Sequence, residues 1–252
     1  MKKLSYMLIL SGLVSMSAFA EDSALSGNIG VTTDYLFRGI SQSQHKPAIS
    51  GGFDYAHPSG VYVGTWMSNQ GWVATGPAKT NSSMEIDLYG GYRGEASGIG
   101  YDVGLITYYY PGDRAGALAG APTPDTTEVY VGASWSFLSM KYSHTVSDYF
   151  VGWGSTTPGA SFKTNGSNYL ELNASYDLGD GWGVIGHVGK QEVKNFAPAS
   201  YTDWKIGATK DIGYGTVTAA YSDTDGDPVN AYTFAGKDVS KGVFTLSFSK
   251  SF

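Results

Sequence analysis

Apolar and polar residues alternate with a period of two along most of the chain after residue 20. In the segment MEIDLYGGYR, Met84, Ile86 and Leu88 share one parity, while Glu85 and Asp87 share the other. A helix would spread these charges around its circumference, whereas a strand separates them onto two faces. The same separation recurs in GNIGVTTDYLFR, GIGYDVGLITYYY and SNYLELNASYD, so the pattern predicts an all-β chain.

The alternating segments, separated by clusters of Gly, Pro, Asn, Asp and Ser, predict about twelve strands. Most are longer than the roughly 5–6 residues of a typical globular strand and match the roughly 9–11 residues that a tilted strand needs to cross a bilayer. The predicted strands lie near residues 25–38, 47–57, 61–69, 83–93, 99–110, 126–136, 138–148, 167–177, 182–191, 201–211, 215–223 and 240–252.

The connections between these strands alternate in length. Short turns lie at 57–60, 94–98, 137–138, 177–181 and 211–214, and longer polar loops near 70–82, 111–125, 149–166, 192–200 and 224–239. This asymmetry is typical of an outer-membrane β-barrel whose short turns face the periplasm. An even number of strands then places both termini on the periplasmic side, and the last segment, FTLSFSKSF, is expected to pair with the first strand.

A soluble β-sandwich or lipocalin-like barrel would also alternate, with its apolar row turned inward. Aromatic residues gathered toward the predicted strand ends favour the membrane barrel, because bilayer interfaces attract such girdles. The predicted girdle residues are Tyr35, Phe37, Tyr108 to Tyr110, Trp135, Tyr149, Phe150 and Trp182.

The first twenty residues have the three parts of a cleaved signal peptide, which are Lys2 and Lys3, an apolar stretch from Leu4 to Met16, and the site Ala18-Phe19-Ala20. The domain prediction is therefore a signal peptide at 1–20 and a single transmembrane barrel at 21–252. No later stretch approaches the roughly 18 apolar residues of a transmembrane helix.

Composition agrees with an exported β-protein. The chain has 35 Gly, 19 Tyr and no Cys, which excludes disulfides and thiolate metal sites. Removing the two signal-peptide lysines leaves 14 basic and 22 acidic residues, a net charge of −8. Such an acidic chain is not expected to bind nucleic acid.

The polar parity of the strands predicts the residues that line the barrel lumen. In one interpretation the charges cancel in salt bridges that make the wall rigid. In the other, the excess of seven acidic over four basic residues leaves a negatively charged lumen that favours cations. The sequence does not decide between them. The lumen-lining candidates are Asp34, Asp54, Glu85, Asp87, Asp102, Glu128 and Glu171, with Arg38, Arg93, Lys141 and Lys205.

Three motifs that resemble sites of chemistry have plainer interpretations. GWGVIG (181–186) matches a dinucleotide fingerprint, but alternating strand rather than helix follows it. DTDGD (223–227) lacks the glycine and glutamate spacing of an EF-hand, which favours an acidic surface loop. His144 shares the apolar parity and Ser147 does not, so a lipid-cleaving dyad is disfavoured. No catalytic residue, metal site or cofactor is predicted.

The segment VTTDYLFRGISQS (31–43), followed by PAISGGFDYAH and GVYVGTWMSN, resembles the opening signature of the TorF family of putative porins. The similarity continues through EIDLYGGY, YDVGLITYYYPG, TEVYVGAS and YLELNASYDLGDGWGVIGHVG. It implies a proteobacterial outer-membrane barrel and contributes no catalytic residues. The terminal Phe252 is likewise similar to the signal by which the barrel assembly machinery recognises its clients.

The expected function is passive diffusion of small hydrophilic solutes or ions through an outer-membrane channel, with a possible cation preference. Outer-membrane lipids and the barrel assembly machinery are the expected partners. The alternatives are a non-conducting structural or adhesion barrel and an outer-membrane lipid-modifying enzyme.

Overall fold

The computed structural model describes residues 24–76, 80–112, 122–155 and 159–252, so the predicted signal peptide at 1–20 lies outside the described residues. Within them, twelve long strands form one closed antiparallel barrel, which confirms the predicted fold class. Consecutive strands are neighbours, and the last pairs with the first. The barrel strands are β1 (Ala24–Thr32), β2 (Ala48–Ala56), β3 (Val61–Asn69), β4 (Met84–Ala96), β5 (Ile99–Tyr109), β6 (Thr126–Trp135), β7 (Leu138–Thr145), β8 (Asn168–Gly179), β9 (Trp182–Glu192), β10 (Tyr201–Asp211), β11 (Thr216–Thr224) and β12 (Val243–Ser251).

Two short hairpins and one helical turn lie outside the barrel wall. The hairpins pair Leu36–Phe37 with Ile40–Ser41 and Thr233–Phe234 with Lys237–Asp238. A 3₁₀ turn spans Ala197–Ala199. None of the described residues forms a helix that is long and apolar enough to span a membrane.

The two parities of each strand face different surroundings, as the alternation predicts. In β4, Met84 and Leu88 point outward and are exposed, while Glu85 and Asp87 point inward and are buried. Along the described strands, the Lys, Arg, Asp and Glu residues on the outward parity lie within two residues of a strand end, and these are Lys190, Glu192, Lys210, Asp223 and Lys250. The middle of the outer face is therefore apolar, as hydrocarbon surroundings require.

Exposed aromatic side chains lie at both ends of this apolar band. The end that carries the short turns and both ends of the barrel chain is called the turn end, and the opposite end the loop end. The turn-end aromatics are Tyr55, Tyr92, Tyr101, Trp135, Phe137, Tyr176, Trp182, Tyr214 and Phe252, and the loop-end aromatics are Tyr109, Tyr142, Trp204, Tyr221 and Phe244.

Several aromatics predicted as girdle residues are not on the outer surface. Tyr35, Tyr108, Tyr110 and Phe150 are buried inside the molecule, and only Tyr109, Trp135 and Trp182 of the predicted set are exposed large side chains on the outside. The prediction relied on the position of each aromatic near a strand end. A connection that folds into the lumen or the cap buries its aromatic residues there, away from the bilayer.

The described parts of the six connections at the loop end pack together into an apolar cap. Trp72, Tyr110, Trp153, Tyr232 and Phe234 come from different parts of these connections and are all buried. Their rings meet at centroid distances of 5.4 Å for Trp72 and Tyr110 and 5.8 Å for Trp153 and Tyr232. The cap thus holds the connections against one another over the loop end of the barrel.

Strand β1 is shorter than predicted. It ends at Thr32 rather than continuing to residue 38, and residues 33–47 leave the wall as a connection called here the inner loop. The predicted placement of Asp34 and Arg38 on a barrel strand is therefore wrong. The alternation continued past Thr32 because the inner loop forms its own hairpin, with one side against the lumen wall and the other toward the cap.

Candidate functional site

The inner loop crosses the barrel lumen from one wall to the other. Near its start, Tyr35 donates a hydrogen bond of 2.6 Å from its hydroxyl to Oε1 of Glu85 on β4, and its ring lies 5.3 Å from that of Trp66 on β3. At its tip, Arg38 contacts Glu128 on β6 and Gln191 on β9. Strands β3 and β9 lie opposite each other in a ring of twelve, so the loop bridges the full width of the lumen.

Arg38 anchors the tip of the inner loop with three hydrogen bonds. Nη1 donates to Glu128 Oε1 at 3.1 Å and to Gln191 Oε1 at 2.8 Å, and Nη2 donates to Glu128 Oε2 at 2.6 Å. The guanidinium also lies 4.3 Å from the ring centroid of Tyr169 on β8. Because Glu128 is fully buried, this two-point ion pair compensates a charge that water does not reach.

The turn at the tip has a backbone conformation that restricts the residues it can hold. Arg38 has φ of 50° and Gly39 has φ of 81°, both in the left-handed region. A Cβ atom on Gly39 would lie 2.7 Å from Cβ of Asp203 and 2.6 Å from Cγ2 of Thr224. Glycine therefore lets the tip lie directly against β10 and β11.

The wall formed by β2, β4 and β5 carries acids that are bonded to tyrosine hydroxyls. Tyr89 donates to Asp54 at 2.6 Å and Tyr62 donates to Asp102 at 2.7 Å, in the same way as Tyr35 donates to Glu85. Burial raises the pKa of Tyr35 well above its ordinary value, and the charge of Glu85 raises it further, so this hydroxyl stays protonated as a donor.

Asp87 is the exception on this wall. It is buried beside Trp66 and Tyr108, its register partners on the neighbouring strands, and its Oδ1 atom has no hydrogen-bond partner. Within the described residues, neither Asp87 nor Glu85 forms an ion pair with a lysine or arginine.

A continuous polar network covers β7 to β10. Lys141 Nζ lies 3.3 Å from Glu171 Oε1, and Asn173 donates to Glu171 Oε2 at 3.0 Å. His187 contacts Asn173 Oδ1 at 2.6 Å through Nδ1 and Asp203 Oδ2 at 2.9 Å through Nε2. Tyr169 completes the network by donating to Asp203 Oδ1 at 2.8 Å. The carboxylates of this wall are thus bonded within the wall itself.

A further contact joins the inner loop to the last connection of the cap. His45 contacts Asp34 Oδ2 at 2.7 Å through Nδ1 and the Asp238 carbonyl oxygen at 2.8 Å through Nε2. Ser41 and Ser43 donate to Asp34 Oδ1 at 2.6 and 2.8 Å. The Asp34 carboxylate therefore organises the inner loop and connects it to the cap.

Beside the inner loop, the lumen contains a cavity of about 160 Å³. This lumen cavity is bounded by the inner loop, by the polar network and by the inward residues of β11, β12, β1 and β2. Its last boundary consists of small and hydroxylated side chains, which are Gly30, Ser50, Thr218, Ala220, Ser222, Thr245, Ser247 and Ser249.

Nine of the eleven lumen candidates named from the sequence lie on the inward parity of barrel strands, and Asp34 and Arg38 lie on the inner loop. The structure brings together Arg38 with Glu128 and Lys141 with Glu171. Among the described residues, neither base forms an ion pair with Asp54, Glu85 or Asp87. Arg93, on the same wall, stacks its guanidinium 5.1 Å from the ring centroid of Tyr62.

Sequence reasoning missed Asp203, His187, Tyr169 and Gln191. Asp203 has the same parity as Lys205 two residues later, so the alternation could have found it. His187 and Gln191 share the inward parity of β9, which the glycines of GWGVIG obscured.

The motifs with plainer interpretations behave as secondary structure. GWGVIG starts at a turn and continues into β9. Asp225 and Asp227 of DTDGD accept hydrogen bonds from backbone N–H groups of Thr202 and Val229. Ser147 donates to the Tyr149 carbonyl and does not contact His144.

A closed antiparallel barrel with an apolar outer face, two aromatic girdles and a polar interior is a porin-like transmembrane β-barrel. The chain belongs to a family of bacterial proteins of unknown function, Gcw_chp, whose model matches residues 18–252. No curated protein matches the chain.

Solved structures with the same fold are outer-membrane porins and channels. The NanC porin is 11% identical, covers 90% of this chain and 98% of its own, and has a TM-score of 0.57. The KdgM porin in complex with disordered oligogalacturonate is 7% identical, with coverage of 91% and 99% and a TM-score of 0.51. An outer membrane channel from Pseudomonas putida F1 is 11% identical, with coverage of 95% and 100% and a TM-score of 0.51.

Proposed function

We propose that the protein is an outer-membrane channel through which small hydrophilic solutes diffuse passively. The observation that carries this proposal is the lumen cavity, a polar space bounded by hydroxyls and charged groups inside a barrel whose outer face is apolar. A barrel filled by its own side chains would have no such space. The polar lining replaces part of the hydration of a solute that enters.

In this proposal the turn end faces the periplasm and the loop end faces the cell exterior, which is the usual arrangement of bacterial barrels. Outer-membrane lipids surround the apolar band between the girdles. We also propose that the chain is a member of the TorF family of putative porins, which it resembles in sequence and whose expected role is the same.

The inner loop and the cap set the width of the path. The loop occupies the centre of the lumen and is attached at both walls, so a solute passes beside it through the lumen cavity. A narrow path of this kind is expected to admit small solutes and to exclude larger ones.

Swelling of proteoliposomes tests this function. Vesicles that contain the purified, refolded protein are placed in isosmotic solutions of neutral polyols and sugars of increasing mass. Rapid swelling in the smallest polyols, which slows as the mass increases, is the expected result. Vesicles that swell no faster than protein-free vesicles in any of these solutes would exclude the channel.

We also propose that Phe252 is the recognition signal for the barrel assembly machinery. Its ring is exposed at the turn end and covers Gly27, and its backbone N–H and carbonyl pair with the carbonyl and N–H of Gly27. The residue thus closes the seam between β12 and β1 and presents an aromatic at the turn end.

Replacement of Phe252 by Ala is expected to reduce the amount of folded barrel in the outer membrane of expressing cells, while the purified variant still refolds in detergent. Phe244→Ala is the matched control, since Phe244 is an exposed aromatic on the outward parity of the same strand. Equal membrane levels of the two variants would contradict a role for Phe252 in assembly.

A further inference from the structure

Lys205 differs from the other charged groups that border the lumen cavity. Arg38, Lys141, Glu171 and Asp203 are all engaged in ion pairs or hydrogen bonds within the wall. Lys205 borders the same cavity, and its ammonium makes neither a hydrogen bond nor an ion pair with any of the described residues, although the charges of Asp203 and Glu171 act on it. Its three N–H donors are therefore available to a solute.

The acids at the cavity do not offer the equivalent site for a cation. Asp34 accepts from two serines and contacts His45, Glu171 contacts Lys141 and Asn173, and Asp203 contacts Tyr169 and His187. A count of acids and bases along the chain therefore does not predict which ions the cavity prefers. What decides is the charged group at the cavity surface whose hydrogen-bond donors have no acceptor within the wall.

Next to Lys205, the cavity wall carries a row of hydroxyl groups that are also available to a solute. Ser222 is the register partner of Lys205, Thr218 is the partner of Ser247, and Ser249 and Ser50 both pair with Gly30. None of these five hydroxyls forms a side-chain hydrogen bond with another of the described residues. They are named here the hydroxyl stripe, which consists of Ser50, Thr218, Ser222, Ser247 and Ser249.

The geometry points to Lys205 and the hydroxyl stripe as the solute-binding wall of the channel, with small hydroxylated carboxylates as its solute class. The ammonium binds the carboxylate as an ion pair, and the hydroxyls of the stripe exchange hydrogen bonds with those of the solute. This inference rests on the proposed channel function and adds the charge and the functional groups of the solute that passes through the channel.

Ion selectivity tests the role of Lys205. The reversal potential of the refolded protein in a planar bilayer under a KCl gradient is expected to show preference for chloride over potassium. Lys205→Gln should lower the chloride-to-potassium permeability ratio several-fold, because it removes the available charge, and Lys205→Arg should retain the preference. Lys210→Gln is the control, since Lys210 carries the same charge on the outer face, over the Trp182 ring.

An unchanged permeability ratio in Lys205→Gln would overturn the assignment of Lys205. Absence of any current in the wild-type protein would instead overturn the channel function itself. If Lys205→Gln does not fold, the same question is answered by Lys205→Arg, for which loss of chloride preference would contradict a role of the charge.

The hydroxyl stripe has a separate test. Gluconate and acetate carry the same charge, but only gluconate carries hydroxyls. Gluconate is expected to reduce the chloride current of the wild-type channel more than acetate at equal concentration, and the double variant Thr218→Val/Ser247→Ala should abolish the difference. Equal reduction of the wild-type current by the two anions would overturn the proposed preference for hydroxylated solutes.

Discussion

Arg38→Met is expected to lower the free energy of unfolding by about 3–5 kcal/mol, because it leaves the fully buried Glu128 carboxylate without its cation. Burial acts to lower the pKa of Arg38 but the charge of Glu128 raises it, and the net shift is upward, so the Arg38 guanidinium is charged in the native protein. The same substitution should free the tip of the inner loop and increase single-channel conductance. Unfolding in urea and conductance in planar bilayers measure the two effects.

The double variant Arg38→Met/Glu128→Gln distinguishes two effects on stability, which are the loss of the ion pair and the cost of a buried carboxylate without a cation. It should recover much of the stability while it retains the increased conductance, since the buried charge is gone but the anchor is still missing. Lys163→Met is the control, because the Lys163–Asp148 pair lies at 2.8 Å but is largely exposed and is expected to contribute little. Stability of Arg38→Met equal to that of the control would contradict the anchoring role of Arg38.

Leu172→Arg is expected to cost about 2–4 kcal/mol of folding free energy in a lipid bilayer, the range for an arginine that faces the middle of the hydrocarbon. Leu172 lies near the centre of β8, its side chain is exposed on the outer face, and its register partners are Met140 and Val188. Folding into phospholipid vesicles at a series of urea concentrations measures the effect.

Leu178→Arg is the matched control for this substitution. Leu178 has the same outward parity on β8 but lies at the turn end, where an arginine should cost only about 0–1 kcal/mol. Equal costs at residues 172 and 178 would mean that the apolar band is not surrounded by hydrocarbon.

The barrel was predictable from the sequence because a strand between lipid and a polar lumen alternates apolar and polar residues with a period of two. Glu85 and Asp87 against Met84 and Leu88 are sufficient to orient β4. Strand number and the closure of β12 on β1 followed from the same repetition, together with the alternation of short turns and long loops.

The inner loop was not predictable in the same way. Tyr35 and Phe37 continue the parity of Ile29 and Val31, and alternation alone does not reveal that the chain has left the wall after Thr32. The contacts that hold the loop join residues distant in sequence, such as Arg38 and Glu128, which are 90 positions apart. Period-two patterning contains no information about such pairs.

The polar network was not predictable from the sequence either. The sequence left open whether the inward charges cancel or leave a negative lumen, and the register of β8, β9 and β10 is what places His187 between Asn173 and Asp203. The available ammonium of Lys205 appears only once every other charge at the cavity has its partner.

Single-channel recording on the refolded wild-type protein in a planar bilayer tests the central claim most directly. A conducting barrel should give discrete, reproducible conductance steps in salt solution, of small amplitude because the inner loop narrows the lumen, and larger steps for Arg38→Met. A bilayer that contains the folded protein and shows no steps at any voltage would contradict the account.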